Sequence, residues 1–169
     1  MGQAVDRAVH HVGQPHGESR RLSGRGAERW LLAVSGGRDS MVLLDAAVRA
    51  GAPIAAVATY DHGTGPAARR AAALVARTGE RLGVAVVTGR RTASRNEREA
   101  TWRTARRDFL MGWASELMAT IVTAHSRDDQ IETVAIRILR GSGVRGLAAM
   151  DVDSGPLRPL LSVSRPQIA

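Results

Sequence analysis

The stretch of residues 31–44 constrains the fold of this chain more than any other part of the sequence. An apolar run, Leu31-Leu32-Ala33-Val34, breaks at Ser35-Gly36-Gly37, and apolar residues then return at helical spacing. This order predicts a strand, a tight loop and a helix. Two adjacent glycines allow a sharp turn that brings backbone amides close to an anion at a helix N-terminus. The stretch therefore predicts a phosphate-binding loop.

The loop has the sequence Ser35-Gly36-Gly37-Arg38-Asp39-Ser40. Two serine hydroxyls add hydrogen-bond donors, and Asp39 adds a carboxylate that can hold a metal counter-ion. The Walker spacing is absent, the chain contains no lysine, and the Rossmann Gly-x-Gly-x-x-Gly is missing as well. Two glycines alone are more often a plain strand-to-helix connection. The complete motif in this context favours phosphate binding.

Strand and helix patterns alternate from residue 30 onward. The predicted strands are residues 30–34, 54–60, 84–88 and 120–124, and the predicted helices are residues 40–49, 67–82, 97–117 and 128–140. This alternation predicts a doubly wound α/β domain over residues 29–169, a mainly parallel sheet with helices on both faces. Ligands of such sheets bind beyond the carboxyl ends of the strands, where the strand order reverses.

The polar, glycine-rich residues 1–28 predict a flexible N-terminal segment with a short helix over residues 4–12. The arginine-rich residues 89–95 predict a mobile loop. The absence of cysteine excludes disulfides, thiolate metal sites and iron–sulfur clusters. No apolar run approaches the roughly 20 residues of a membrane span, and no signal core is visible, so we expect a cytoplasmic protein without membrane contact.

The net charge of +8 favours a polyanionic partner. The net charge is only weak support for such a partner, because all 24 basic residues are arginine and the composition indicates a coding bias. More informative is the start of the fourth predicted helix, where Asp128, Asp129 and Glu132 lie at the positive helix end. An acidic helix cap is the ordinary interpretation. Opposite a phosphate loop, these carboxylates also suit Mg²⁺.

Polar residues follow the other predicted strands too. Asp61-His62-Gly63 ends the second strand, where a turn is the alternative to a binding role. His125 follows the fourth strand, and both a ligand-positioning and a structural role stay open for it. Arginines cluster in two further places: Arg103, Arg106 and Arg107 on one helix face, and Arg140 and Arg145 among Gly141, Gly143 and Gly146. A solvated face is the default interpretation of the first cluster, whereas the second suits backbone that approaches a bulky anionic substrate.

The Ser-Gly-Gly-x-Asp-Ser motif directly after the first strand resembles the PP-loop, or N-type, ATP pyrophosphatases, which have a Rossmann-like fold of the adenine nucleotide alpha hydrolase type. Within them, the chain closely resembles the tRNA(Ile)-lysidine synthetase family over residues 31–168. The matching pieces are residues 33–40, Asp61-His62-Gly63, Glu99-Ala100 with Arg103 and Arg106, and residues 123–133, 137–150 and 158–161. The chain departs from the family at Thr64-Gly65-Pro66, usually Leu-Arg-Pro, and at Arg107, usually tyrosine, so local substrate contacts are expected to differ at these positions.

The resemblance implies that ATP and Mg²⁺ are used to join free lysine to C2 of the wobble cytidine of tRNA(Ile) with a CAU anticodon. An adenylated cytidine is the intermediate, and pyrophosphate and AMP are released. The implied nucleotide-binding residues are Ala33, Ser35, Gly36, Gly37, Asp39, Ser40, Asp61, His62 and His125. The implied catalytic residues are Asp39, Arg103, Arg106, Glu132 and Arg140, and the metal ligands are Asp39 with Asp128 or Asp129. Glu132 binds either the lysine ammonium or a group beside the metal.

Two alternatives remain. Family members continue beyond the position of Ala169 into further helices and commonly a C-terminal tRNA-binding region, which this chain is expected to lack. A remnant that binds ATP or tRNA without turnover is therefore the first alternative. The second is another PP-loop enzyme of tRNA modification, such as a 2-thiocytidine synthetase, which the absence of cysteine disfavours. Whether the chain forms a homodimer is left open.

Overall fold

The computed structural model describes residues 6–10, 29–90, 99–139 and 155–168. The elements in chain order are β1 (Asp6–His10), β2 (Arg29–Ala33), α1 (Arg38–Arg49), β3 (Ile54–Asp61), α2 (Pro66–Arg81), β4 (Val86–Arg90), α3 (Glu99–Glu116), β5 (Ala119–Thr123), α4 (Arg127–Leu139) and α5 (Arg165–Ile168). The four predicted strands and four predicted helices are all present, with ends within two residues of those expected.

The strands form one sheet in the order β1-β4-β3-β2-β5. Strands β2 to β5 are parallel to one another; Leu32 of β2, for example, pairs with Val57 on one side and Val122 on the other. The prediction of a mainly parallel α/β sheet is confirmed.

The N-terminal residues contain a strand, β1, where a short helix was predicted. Residues Asp6–His10 pair antiparallel with β4, from Asp6 opposite Arg90 to His10 opposite Val86. The predicted helix is therefore wrong for these five residues, because the edge of β4 offers backbone partners that local helix propensity does not anticipate. Gly89 and Arg90 of the predicted mobile loop likewise belong to β4. The rest of the segment 1–28 and of that loop lies outside the described residues.

Both faces of the sheet are covered, as alternate side chains of β2 and of Val34, which follows it, illustrate. Leu31 and Ala33 pack in a cluster with Phe109, Leu110 and Trp113 of α3. Leu32 and Val34 face the other way, into a cluster with Leu43 and Leu44 of α1 and Val75 of α2. A strand buried on both sides must be apolar throughout, which explains the continuous apolar run that the sequence shows.

The strand order reverses at β2. The chain moves from β2 to β3 and β4 in one direction, and then returns through α3 to place β5 on the other side of β2. The carboxyl ends of β2 and β5 therefore flank the point at which this class of sheet binds ligands. The C-terminal residues return to the same edge, because Leu157 donates to the carbonyl of Ile121 and accepts from the amide of Thr123, both at 2.9 Å.

Apolar residues recur at helical spacing in α4, but they are less buried than the residues of a core-facing stripe. Ile131 is 60% exposed and Leu139 is 86% exposed, whereas Val134 is half-buried. Among the described segments, no helix has the length and apolar character that a membrane crossing requires.

Candidate nucleotide-binding site

The predicted phosphate loop connects β2 to α1. After Ala33, the amide of Val34 still bonds the carbonyl of Ala58 at 2.9 Å, and the chain then turns into α1. Gly36 has a φ of +84°, and a Cβ there would lie 2.8 Å from the carbonyl oxygen of Ala71 in α2. Gly37 is extended, with φ −76°, and a Cβ on it would meet the hydroxyl of Ser35 at 3.5 Å. The fold therefore requires glycine at 36, and not at 37.

The two serines of the loop have different surroundings. The buried hydroxyl of Ser40 donates to the carbonyl of Gly37 at 2.8 Å and accepts from the amide of Ser35 at 3.2 Å. Ser40 thus stabilises the shape of the loop. Ser35 is exposed, and its hydroxyl lies 3.2 Å from that of Ser40 and accepts from the amide of Gly37 at 3.4 Å. Of the two hydroxyls, that of Ser35 is the better placed to meet a ligand.

The N-terminus of α1 has no side-chain cap. Gly37 is the N-cap residue, and within the described part of the chain no side chain caps the first turn of the helix. Because the first amides of a helix have no partner within it, they are donors for an anion. Asp39 lies in this first turn with 24% of its side chain exposed, and its Oδ1 lies 3.3 Å from Nε of Arg38.

A cleft of about 560 Å³ opens beside this helix terminus. It is lined by residues that the sequence places far apart: Ala33, Ser35, Gly37, Arg38, Asp39, Ser40, Arg106, Thr123, Ala124 and His125. The loop after β2, Arg106 of α3 and His125 after β5 therefore line the same cleft. This phosphate cleft, as we call it below, lies at the reversal of strand order.

A second cleft of about 420 Å³ adjoins it. Its lining mixes apolar and basic side chains: His62, Thr64, Trp102, Arg103, Arg106, Arg107, Leu110, Ile121, Thr123, His125 and Pro156. Arg106, Thr123 and His125 line both clefts. We call this one the apolar–basic cleft. A ligand with a flat apolar part and a phosphate could extend from one cleft into the other.

Arg106 differs from the other arginines of α3. It is half-buried, whereas Arg103 and Arg107 are exposed. Burial lowers the pKa of Arg106, because removal from water penalises the guanidinium cation. An anion in either cleft would offset that penalty. Arg106 is thus the arginine of this helix that is best placed to meet a phosphate.

His125 occupies the junction of the two clefts. Its Nδ1 lies 2.8 Å from the hydroxyl of Thr123, which fixes the orientation of the ring. Burial lowers the pKa of His125, and the charges of Arg158 and Arg106 lower it further, while Asp129 acts in the opposite direction. The imidazole is therefore neutral at pH 7, and it can accept or donate a hydrogen bond there.

The consecutive residues Asp61 and His62 have different surroundings in the structure. Asp61 is buried, accepts from the amide of Gly63 at 2.9 Å and lies 3.6 Å from Nε of Arg90. These are contacts of a turn residue, and Asp61 is not among the residues that line the two clefts. His62 lines the apolar–basic cleft and packs edge-on against Tyr60, with ring centroids 5.1 Å apart.

Asp129 takes part in a capping box at the start of α4. Its Oδ2 accepts from the amide and the hydroxyl of Ser126, at 2.8 and 2.9 Å, and its own amide lies 3.4 Å from that hydroxyl. Its Oδ1 accepts from Nη2 of Arg165 at 2.7 Å. Burial raises the pKa of Asp129, but these hydrogen bonds and the charge of Arg165 outweigh it and hold the pKa below its usual value. Both carboxylate oxygens are thus engaged.

Arg165, which no predicted motif includes, contacts all three acidic residues of α4. Its amide donates to Oδ2 of Asp128 at 2.7 Å, and its Nη2 lies 3.8 Å from Oε2 of the exposed Glu132. The spacing Ser164-x-x-Gln167 was the available signal, because it marks a helix start: the amide of Ser164 donates to Oε1 of Gln167 at 3.0 Å.

A divalent cation would have few ligands here without a substrate. The described residues contain no group of three or more His, Cys, Asp or Glu side chains that could hold a metal. Mg²⁺, however, is usually bound by one or two carboxylates together with substrate phosphates. Asp39 lines the phosphate cleft and fits that role, whereas Asp129 is occupied by its hydrogen bonds. Arg140, the remaining predicted catalytic residue, lies outside the described residues.

A model of the PP-loop domain family matches residues 5–169. The chain belongs to the PP-loop domain family. This confirms the resemblance drawn from Ser-Gly-Gly-x-Asp-Ser. Among solved structures, the PP-loop domain is similar to the U34-tRNA thiolase NcsA of Methanococcus maripaludis, with a TM-score of 0.72 and 14% identity over 85% of this chain and 56% of that one. At that identity the likeness supports the fold.

Curated relatives are more similar in sequence. The chain is 41% identical to a tRNA(Ile)-lysidine synthase of Bradyrhizobium sp. over 99% of its own length and 50% of the relative. It is 38% identical to that of Zymomonas mobilis, with 82% and 45% covered, and 41% identical to that of Salinispora arenicola, with 81% and 45% covered. The PP-loop domain thus spans about half the length of these relatives.

Proposed function

We propose that this PP-loop domain carries the ATP-dependent chemistry of a tRNA(Ile)-lysidine synthase, which ligates lysine to the wobble cytidine of tRNA(Ile) with a CAU anticodon. The observation that carries the proposal is the junction of the two clefts at Arg106, Thr123 and His125. One cleft suits a triphosphate and the other suits a nucleobase. The sequence likeness to curated lysidine synthases supports the same assignment.

ATP occupies the phosphate cleft in this scheme. The uncapped amides of α1 and the hydroxyl of Ser35 bind the pyrophosphate portion, where negative charge develops as the α–β phosphate bond breaks. Asp39 would hold Mg²⁺, which when bound acts as a Lewis acid on the phosphate oxygens. The preorganised donors of the loop need no rearrangement, because Ser40 and Gly36 fix its shape.

The target cytidine occupies the apolar–basic cleft. Trp102, Leu110 and Ile121 supply apolar contact for a flat base, and the guanidinium groups of Arg103 and Arg107 in the same lining can contact the tRNA backbone. The C2 oxygen of cytosine attacks the α-phosphorus, and pyrophosphate leaves. Arg106 lines both clefts and therefore stabilises the charge on the phosphoryl group between them.

The second step needs an amino-acid site. The lysine amine attacks C2 of the adenylated cytidine, AMP leaves, and the amine loses a proton. The acidic residues at the start of α4 can bind a cationic amino acid, and Glu132 retains an exposed carboxylate. The neutral His125 lies at the junction of the clefts, where it can orient the base through a hydrogen bond.

The alternatives are separated by turnover. A non-catalytic remnant would use the same clefts for binding alone, and the absence of cysteine still disfavours a thiolation reaction. The cytoplasmic location and the CAU identity stay predictions, and whether a homodimer forms stays open.

Release of AMP and pyrophosphate tests the proposal. We expect both products only when ATP, Mg²⁺, lysine and a CAU transcript are all present, and no AMP release with a GAU transcript. Arg106→Gln should lower turnover strongly, whereas Arg49→Gln, a remote surface variant, should not. ATP hydrolysis that is independent of tRNA would contradict the proposal, and so would ATP binding without any turnover.

A further inference from the structure

The guanidinium of Arg165 forms ion pairs with acidic residues in the first turns of α4. It bonds Asp129 at 2.7 Å and lies 3.8 Å from Glu132. The proposed reaction requires these carboxylates, or one of them, to receive a cationic amino acid. The guanidinium of Arg165 and the cationic substrate would therefore compete for the same two carboxylates, those of Asp129 and Glu132.

The position of Arg165 does not depend on its side chain. The amide of Arg127 donates to the carbonyl of Val163 at 3.1 Å, the amide of Arg165 donates to Asp128 at 2.7 Å, and Ile168 is buried. These contacts dock α5 beside α4 through the backbone and an apolar anchor. The Arg165 side chain is 46% exposed, so its guanidinium can leave the carboxylates while the helix stays docked.

The charges around Arg165 indicate whether its removal strengthens or weakens the binding of another cation. Hydrogen bonding and charge from Asp129, together with the charges of Glu132 and Asp39, raise the pKa of Arg165, so this surface favours the cationic form of a group bound there. Removal of the guanidinium would leave the carboxylates with a larger net negative charge. A second cation would then bind more tightly, because it would no longer compete with the first.

We propose that Arg165 is a specificity-determining residue, which occupies Asp129 and Glu132 until the side-chain ammonium of lysine replaces its guanidinium. The inference rests on the proposed function. An amino acid with an uncharged side chain has no side-chain cation to take the place of the guanidinium at this carboxylate pair, so it is excluded. The cost of replacing Arg165 makes lysine binding weaker than at the bare carboxylates.

Calorimetric titration of the full chain with L-lysine and L-norleucine tests this, in the presence of Mg²⁺ and a non-hydrolysable ATP analogue. Arg165→Gln should bind L-lysine about fivefold more tightly, because the guanidinium that competes for the carboxylates is gone and an exposed ion pair is weak. Arg165→Lys, which keeps the cation, should remain close to the parent chain. L-norleucine binding should be negligible in the parent chain.

Arg49→Gln is the matched control, because Arg49 also forms an exposed ion pair, with Asp45 at 2.7 Å, on a helix face outside the two clefts. Its lysine affinity should equal that of the parent chain. Unchanged or weaker L-lysine binding by Arg165→Gln would overturn the inference and make Arg165 a brace for the carboxylates. Absence of L-lysine binding by both proteins would overturn it too.

The lysidine assay separates this inference from the proposed function. Lysidine formed by the parent chain, together with an unchanged lysine affinity in Arg165→Gln, removes only the role of Arg165. Failure of the parent chain to form lysidine counts against the proposed function instead.

Discussion

Replacement of Gly36 by alanine should destabilise the fold by about 3 kcal/mol and abolish ATP binding. Two costs contribute. A residue with a Cβ at a φ of +84° costs roughly 1–2 kcal/mol. The new methyl group would also lie 2.8 Å from the carbonyl oxygen and 3.0 Å from the Cβ of Ala71, so α2 or the loop must move, which costs about 1–3 kcal/mol.

Urea and thermal unfolding followed by circular dichroism measure the loss. For a domain of this size, about 3 kcal/mol corresponds to a Tm lower by roughly 6–12 °C. Gly51→Ala is the control, because Gly51 also has a positive φ, +63°, but nothing lies within 4 Å of the position that its new methyl group would take. Gly51→Ala should lose only the conformational part, about 1–2 kcal/mol, and should retain ATP binding.

Equal losses of stability in the two variants would refute the reasoning, because they would show that the contact between the loop and α2 adds nothing. Retained ATP binding by a folded Gly36→Ala protein would refute the link between loop shape and phosphate binding.

Three further predictions concern charged residues. Asp39→Ala should abolish pyrophosphate release and leave the Tm nearly unchanged, since this partly exposed carboxylate lines a cleft; equal turnover would remove Asp39 from the mechanism. Because the pKa of Asp129 is lowered in the folded state, its stabilising contribution is present above its unfolded pKa of about 4 and is lost as the pH falls through the folded value. Asp129→Asn should accordingly be less stable than the parent at pH 7 but lose less stability on acidification, as urea midpoints at several pH values would show. Arg140→Ala should weaken tRNA binding and reduce its salt dependence; an unchanged slope in filter binding would assign Arg140 another role.

The fold was predictable where its signals are local. The strand, loop and helix of residues 29–49 follow from an apolar run, glycines and helical spacing within a short stretch. Strand β1 was not predictable in this way, because Asp6–His10 owes its conformation to pairing with β4, some eighty residues away along the chain. A short polar stretch has no periodicity strong enough to reveal such a partner.

The site was predictable in its residue types and less so in its contacts. The sequence treats Gly36 and Gly37 alike, and only the approach of α2 distinguishes them. The contact between Arg165 and Asp129 joins residues 36 positions apart, so no pattern within either helix indicates it. The burial of Arg106 likewise depends on how α3 packs against the sheet.

Nucleoside mass spectrometry tests the central claim most directly. The protein is incubated with ATP, Mg²⁺, lysine and an isoleucine tRNA transcript with a CAU anticodon, with Asp39→Ala in parallel. We predict lysidine in the digest of the parent reaction and none in that of the variant. Unmodified cytidine in both digests, with ATP bound by the parent chain, would contradict lysidine formation by this domain.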